Sequence, residues 1–199
     1  MRKKLKILKK NFVNLVRENI PSEISLEKVD IWFQDETRVG QQGSQTRIWA
    51  KRGTRPRVIK QKQFLSHYIF GAVCPSQKTC AGIVLPYADN VGLSKHLEEI
   101  SYHIPKGRHG LVIMDRAGWH MTNSLRIPKN ISILYLPPKS PELNPQENVW
   151  QHLKDTYLAN RVFETQEDIM EACCNAWKSF ASMPELIQSL TSRKWAQFI

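Results

Sequence analysis

The sequence reads as an α/β domain, on the strength of three patterns. Residues 29–35 and 111–115 alternate or run apolar with the period of a strand, and each run ends on an aspartate. Residues 63–85 break into aromatic and β-branched stretches joined by short turns, as an antiparallel meander does. Beyond Asn144 the apolar residues shift to helical spacing, with Val149, Trp150, Leu153 and Tyr157 forming a stripe.

A chain of 199 residues supports one domain with a real core. Its 41% hydrophobic and 24% charged content is that of a soluble globular protein. No apolar run approaches the ~20 residues of a membrane span. Lysines interrupt Leu5, Ile7 and Leu8, which excludes a signal-peptide core and makes a cytoplasmic protein the expectation. The net charge is +11, and its distribution matters more than its size: between Thr37 and Ala88 there is no Asp or Glu. That segment carries Lys51, Arg52, Arg55, Arg57, Lys60 and Lys62, which points to a polyanion such as nucleic acid. The plainer alternative is a solvated basic surface. Cys74, Cys80, Cys173 and Cys174 fit no zinc spacing and are expected to be small buried hydrophobes.

Taken in order, residues 2–19 read as a basic helix with Leu5, Leu8, Phe12 and Leu15 or Val16 on its apolar side, ended by Pro21. Residues 1–28 are assigned to this helix, packing on or linking to a domain over 29–199. In strand 29–35, Val29, Ile31, Phe33 and Asp35 share a face, and alternation sends Glu36 to the opposite, solvated side. Residues 41–44 form a turn, 46–50 a short strand and 51–57 a basic turn. Strands are expected at 63–73 and 80–85, followed by a helix to His103 capped by Asp89 or Asn90. The strand to Asp115 leads into loop 116–120 and a short helix at 121–125. A further strand covers 131–136. The prolines of 137–145 stiffen a loop, and Asn144 caps a helix with Pro145 at its first position. Helices at 166–180 and from Pro184 complete the chain.

Two strands thus end in acids on their apolar faces. If they are neighbours, Asp35 and Asp115 sit ~5 Å apart at the backbone. Glu147, at the edge of the buried face of its helix, could supply a third carboxylate. Such a set suits Mg2+ or Mn2+, and two such ions can activate one oxygen and stabilise another in phosphodiester cleavage. Each acid has a rival use. Glu147 falls three positions after Asn144, the spacing of a capping box. Asp35 could face water at a strand end, and Asp115 could cap the helix after it.

The segments Trp32–Glu36 (WFQDE), Trp49–Thr54 (WAKRGT), Asp115–His120 (DRAGWH) and Leu136–Trp150 (LPPKSPELNPQENVW) together resemble the IS630/Tc1/mariner superfamily of DDE transposases. The resemblance runs from about Val29 to Phe163. It implies an RNase H-like mixed sheet, three strands antiparallel and two parallel, flanked by helices. It also implies that Asp35, Asp115 and Glu147 are catalytic metal ligands for Mg2+ or Mn2+. The implied activity is cleavage of transposon ends and joining of the 3′ hydroxyls to target DNA by a homodimer on the DNA. Arg116 stands where many relatives have Asn, and His120 matches a loop histidine; both are candidate substrate contacts. Relatives carry a helix-turn-helix ahead of this domain. None is read before Val29, so a partner frame or domain is expected to supply it, with the chain at the nucleoid. The alternatives are a catalytically silent remnant that binds DNA or a full-length transposase, and an RNase H-type nuclease, which fits the proline-rich segment poorly.

Overall fold

The structure, a computed structural model, describes residues 10–43, 46, 49–55, 57, 59–116, 124–138 and 140–197. Five strands form one sheet: β1 (Val29–Gly40), β2 (Ser66–Cys74), β3 (Thr79–Leu85), β4 (His109–Met114) and β5 (Ile131–Tyr135). Their order is β3-β2-β1-β4-β5, with β1–β2 and β2–β3 antiparallel and β1–β4 and β4–β5 parallel. The mixed sheet expected from the resemblance is therefore present. The helices are α1 (Phe12–Asn19), α2 (Asn90–His103), α3 (Gln146–Leu153), α4 (Gln166–Ala181) and α5 (Pro184–Thr191).

Alternation along the strands splits the interior into two layers. Val29, Ile31 and Phe33 of β1, with Leu111 and Ile113 of β4, pack against α1, α3, α4 and α5. Trp32, Val112 and Met114 point the other way and meet Leu93, Leu97 and Ile100 of α2. The basic N-terminal helix belongs to the first layer, with Phe12 and Val16 buried and Phe12 edge-on to Trp195 at 5.0 Å. Residues 1–9, including Leu5 and Leu8, lie outside the described residues.

Local chemistry sets the boundaries. Asp89 caps α2, its carboxylate accepting from the Gly92 N–H at 2.7 Å. Thr165 and Asp168 close a capping box at the start of α4. Gly71 and Gly82 lie opposite each other on β2 and β3 because α3 and α4 come down on them. A Cβ on Gly71 would meet the Gln146 amide, Trp150 and Trp177 at 2.6 Å, and one on Gly82 would strike the Trp177 ring at 2.4 Å. Cys74, Cys80 and Cys173 are buried free thiols, as expected, and Cys174 is half-buried. At the far end of the sheet, buried Asp30 takes a two-pronged bond from Arg108, 2.7 Å at each contact, and a third from Gln77 at 2.9 Å.

Four expectations need correction. β1 does not stop at Asp35 but runs to Gly40, because its antiparallel pairing with β2 continues to Gly40↔Ser66 after its pairing with β4 ends at Phe33↔Ile113. No strand occurs at the described residues of 46–50; the chain there has left the sheet. The strand expected from Gln63 begins at Ser66, where that same pairing begins. Loop 137–145 contains a turn of 3-10 helix at Pro141–Leu143, and the following helix opens at Gln146 rather than Pro145. The short helix expected at 121–125 falls mostly outside the described residues.

His96 is fully buried, edge-on to Phe70 at 5.9 Å, with Nε2 3.3 Å from the Ala81 carbonyl. Burial pushes its pKa down to about 4 from 6.5. The neutral ring therefore favours the fold above pH 6.5, and that contribution is lost as pH falls through 4. At ~1.4 kcal/mol per pH unit the loss approaches about 3 kcal/mol. His96→Leu is expected to flatten the acid limb of stability between pH 6.5 and 4, read by urea denaturation at several pH values. An acid limb as steep as the wild type would contradict it.

Candidate active site

The parallel strands β1, β4 and β5 share one direction, and β1 is where the sheet changes from parallel to antiparallel pairing. Crevices outside the carboxyl ends of such strands are the usual ligand sites of α/β sheets. The register Val29↔His109 through Phe33↔Ile113 stops two residues short of Asp35 on β1 and of Asp115 after β4, so both aspartates lie just beyond the β1–β4 pairing at the same end of the sheet. Neighbouring strands lie ~4.8 Å apart. Asp35 is half-buried on the face covered by α3, and Asp115 is exposed just past the end of β4.

The proline-rich segment brings the third acid to this end. The Leu136 N–H donates to the Met114 carbonyl at 2.8 Å, so the chain leaves β5 still paired to β4. Leu143 is then buried, and Asn144 fastens the segment. Its Nδ2 donates to the Gln34 carbonyl at 2.8 Å, and its Oδ1 accepts from the Gln146 N–H at 3.1 Å. One carboxamide thus caps α3 and ties it to β1 next to Asp35. The Asn144 N–H goes to the Pro141 carbonyl at 2.9 Å, so a capping box closed by Glu147 does not hold this end. Glu147 is exposed in the first turn of α3. One turn on, Trp150 Nε1 donates to Asp35 Oδ2 at 2.9 Å.

The electrostatics single out Asp35. Burial and the charge of Glu36 push its pKa up, the Trp150 bond opposes them, Glu147 adds to the rise, and the Glu36 N–H lowers it again; the result is about 7. No basic side chain among the described residues pairs with it. Glu36 itself is half-buried rather than solvated, because β1 continues past it in pairing with β2. The donor set suits a hard divalent cation, which would relieve the crowding of negative charge at Asp35. Among the described residues no three of His, Cys, Asp and Glu close up as a metal-holding group, and Asp115 and Glu147 stay at the rim.

The other candidates divide. Lys51, Arg52, Arg55, Arg57, Lys60 and Lys62 are all exposed on the 41–65 connection, together with Trp49 and Phe64. Residues 51–54 turn on Gly53 at φ +85, with the Thr54 N–H on the Lys51 carbonyl at 3.0 Å. The base of this arm is stitched down. Gln61 bonds both the carbonyl and the N–H of Phe163 at 2.7 and 2.8 Å, Gln41 bonds the same carbonyl at 2.9 Å, and Asn160 brackets Thr46. Arg116 is exposed, near enough to Tyr135 for its charge to oppose the burial that raises that phenol. His120 lies outside the described residues. Sequence reasoning missed Asn144 as a strand tie, the burial of Gln146, and Trp150 as a partner of Asp35. The signal available was the pair of strand-interior glycines, which announce that something packs close.

The model of the DDE superfamily endonuclease family matches residues 30–170. A protein of Sinorhizobium fredii (strain NBRC 101917 / NGR234), y4pE/y4sA, described only as uncharacterized, is 49% identical over 129 residues, 65% of this chain and 96% of its own length. The Tc3 transposase of Caenorhabditis elegans is 34% identical over 85 residues, 40% of this chain and 26% of that protein. The Mos1 mariner paired end complex with Mn superposes with a TM-score of 0.57 at 14% identity, over 93% of this chain and 62% of that one. A pre-cleavage Mos1 transpososome gives 0.56 at 13%, over 96% and 62%. The chain thus spans less than two thirds of these transposases. With its fold and its family match in agreement, the chain belongs to the DDE superfamily endonucleases.

Proposed function

We propose that this domain cuts DNA at transposon ends and joins the 3′ hydroxyls to target DNA, with Asp35, Asp115 and Glu147 holding one or two Mg2+ or Mn2+ ions. The observation that carries the reading is that Asp35 and Asp115 both lie just past the β1–β4 pairing at one end of the sheet, and that the segment bearing Glu147 is tied to β1 at Gln34 and at Asp35 itself. The Mos1 structure that shares the fold is a paired end complex with Mn, which supports a DNA substrate and a divalent ion here. Bound cations would activate the attacking oxygen and stabilise the leaving one. Asp35, set by Trp150, orients the inner side of the site. Glu147 and Asp115 meet it from the rim. Lys51, Arg52, Arg55, Arg57, Lys60 and Lys62 hold phosphates, and the stitched base of the arm aims them. Arg116 and His120 are the candidate substrate contacts in this reading. The domain functions as a homodimer on DNA at the nucleoid, with a helix-turn-helix region from a partner frame or domain selecting the ends.

Nicking of a plasmid carrying the flanking ends is expected in Mn2+ and absent in EDTA. Asp115→Asn, Asp35→Asn and Glu147→Gln should each lower the rate beyond the ~10–100-fold typical of a change outside the ligand shell. Cleavage that survives Asp115→Asn would sink the assignment. Alanine at Lys51, Arg52, Arg55 and Arg57 together should weaken DNA binding and flatten its salt dependence, by about 0.9 in log–log slope for each phosphate that is no longer neutralised. An unchanged slope would remove the arm from the DNA interface.

Asp35→Asn should also separate function from stability. A carboxyl raised to about 7 costs the fold nothing below its unfolded value of 3.8 and progressively more as pH climbs to 7. In EDTA the variant is therefore expected to melt higher than wild type at pH 8, by a few kcal/mol at most, with the gap closing toward pH 4. Equal melting at both pH values would show that burial at Asp35 carries no such cost.

A further inference from the structure

We infer that Trp150 is a positioning residue for Asp35: its indole N–H fixes Oδ2 and so sets the orientation in which the carboxylate would hold a cation. This rests on the metal reading of the site proposed above. The bond is 2.9 Å, between a donor 2% exposed and a half-buried carboxylate that no basic side chain among the described residues pairs with. In such surroundings an N–H to a carboxylate is a strong and directional contact.

The indole has little freedom to do anything else. Gly71 pairs directly with Asp35, so the space its side chain would fill lies on the same face, ~5 Å from the Asp35 Cβ. Trp150, Trp177 and Gln146 occupy that space, each 2.6 Å from where the Cβ would stand. Gly82 on the next strand admits the Trp177 ring, and Trp177 in turn lies 6.0 Å from Trp150 and 5.7 Å from Phe180. The two glycines form a trough, and the tilted rings packed against one another hold the indole in it with its N–H facing the acid. The Gln146 carboxamide beside it is fully buried with neither polar atom on a protein partner among the described residues. Side chains behind a metal ligand orient it in this way, and their loss typically weakens metal binding ~10–100-fold.

The test is Mn2+ titration of the full chain by calorimetry, in wild type, Trp150→Phe, Gly71→Ala and Asp35→Asn. Phe keeps an aromatic ring but removes the N–H; Ala at 71 keeps the N–H and displaces it. Both are expected to bind Mn2+ ~10–100-fold more weakly while remaining folded by circular dichroism. In wild type the indole N–H resonance of Trp150, identified by its move in Asp35→Asn, should shift on titration with diamagnetic Mg2+; a residue that merely fills the core would not respond. Wild-type Mn2+ affinity in Trp150→Phe, alongside a loss in Asp35→Asn, overturns the inference and leaves the metal reading standing. Affinity that survives Asp35→Asn overturns both. Should Trp150→Phe fail to fold, the Mg2+ titration of wild type decides, and a stationary indole resonance overturns the positioning role.

Discussion

The site depends on one buried carboxamide. Asn144 donates to the Gln34 carbonyl and accepts from the Gln146 N–H, so it terminates a proline-stiffened loop, starts a helix and joins both to the central strand. Asp, Ser or Thr could cap the helix, but an aspartate could not donate to the strand carbonyl. Prolines on either side, at 141 and 145, restrict the backbone so that little entropy remains to be lost when the contact forms. A further bond, from the Asn148 amide to the Leu190 carbonyl at 2.9 Å, ties the same helix to α5. Glu147 thus stands on a turn held from two directions.

β1 treats its two aspartates in opposite ways. Asp30 is as buried as any core residue and is fully answered, by Arg108 and Gln77. Asp35, five positions on, receives an indole N–H and faces the charges of Glu36 and Glu147. A structural acid is neutralised by the protein around it. An acid at the carboxyl ends of parallel strands, with no basic side chain paired to it among the described residues, is a candidate for a functional site. The contrast within one strand marks Asp35, and not Asp30, as the candidate for the site.

Much of this was legible in the chain. The period-two runs assigned the correct faces to Ile31, Phe33, Leu111 and Ile113, because one side of each strand had to be covered by helices. Asp35 and Asp115 both follow such a run, at the same end of the sheet. The Asn-Pro pair announced the start of α3 to within a residue. What escaped depended on contacts far apart in sequence. The extension of β1 to Gly40 follows from partners on β2, which the residues of β1 do not specify. The half-buried state of Glu36 follows from that extension. The glycine trough requires knowing that β2 and β3 pair Gly71 with Gly82 and that α4 lays Trp177 across them. The strand expected at 46–50 failed for the converse reason: its residues have the composition of a strand, but the described ones, Thr46, Trp49 and Ala50, lie outside the sheet.

The stitched base of the basic arm has an evolutionary consequence. Because Gln41, Gln61 and Asn160 clamp the two ends of the excursion to the 160–163 segment, everything beyond them is a closed loop on a fixed footing. Doubling the length of such a loop adds only ~0.6 kcal/mol of closure entropy. Insertions and deletions at its tip are therefore nearly free thermodynamically, whereas a change at any of the three clamps would be felt by the framework. Length and charge at the tip can change while the sheet and the helix that carry the three carboxyl groups keep their places.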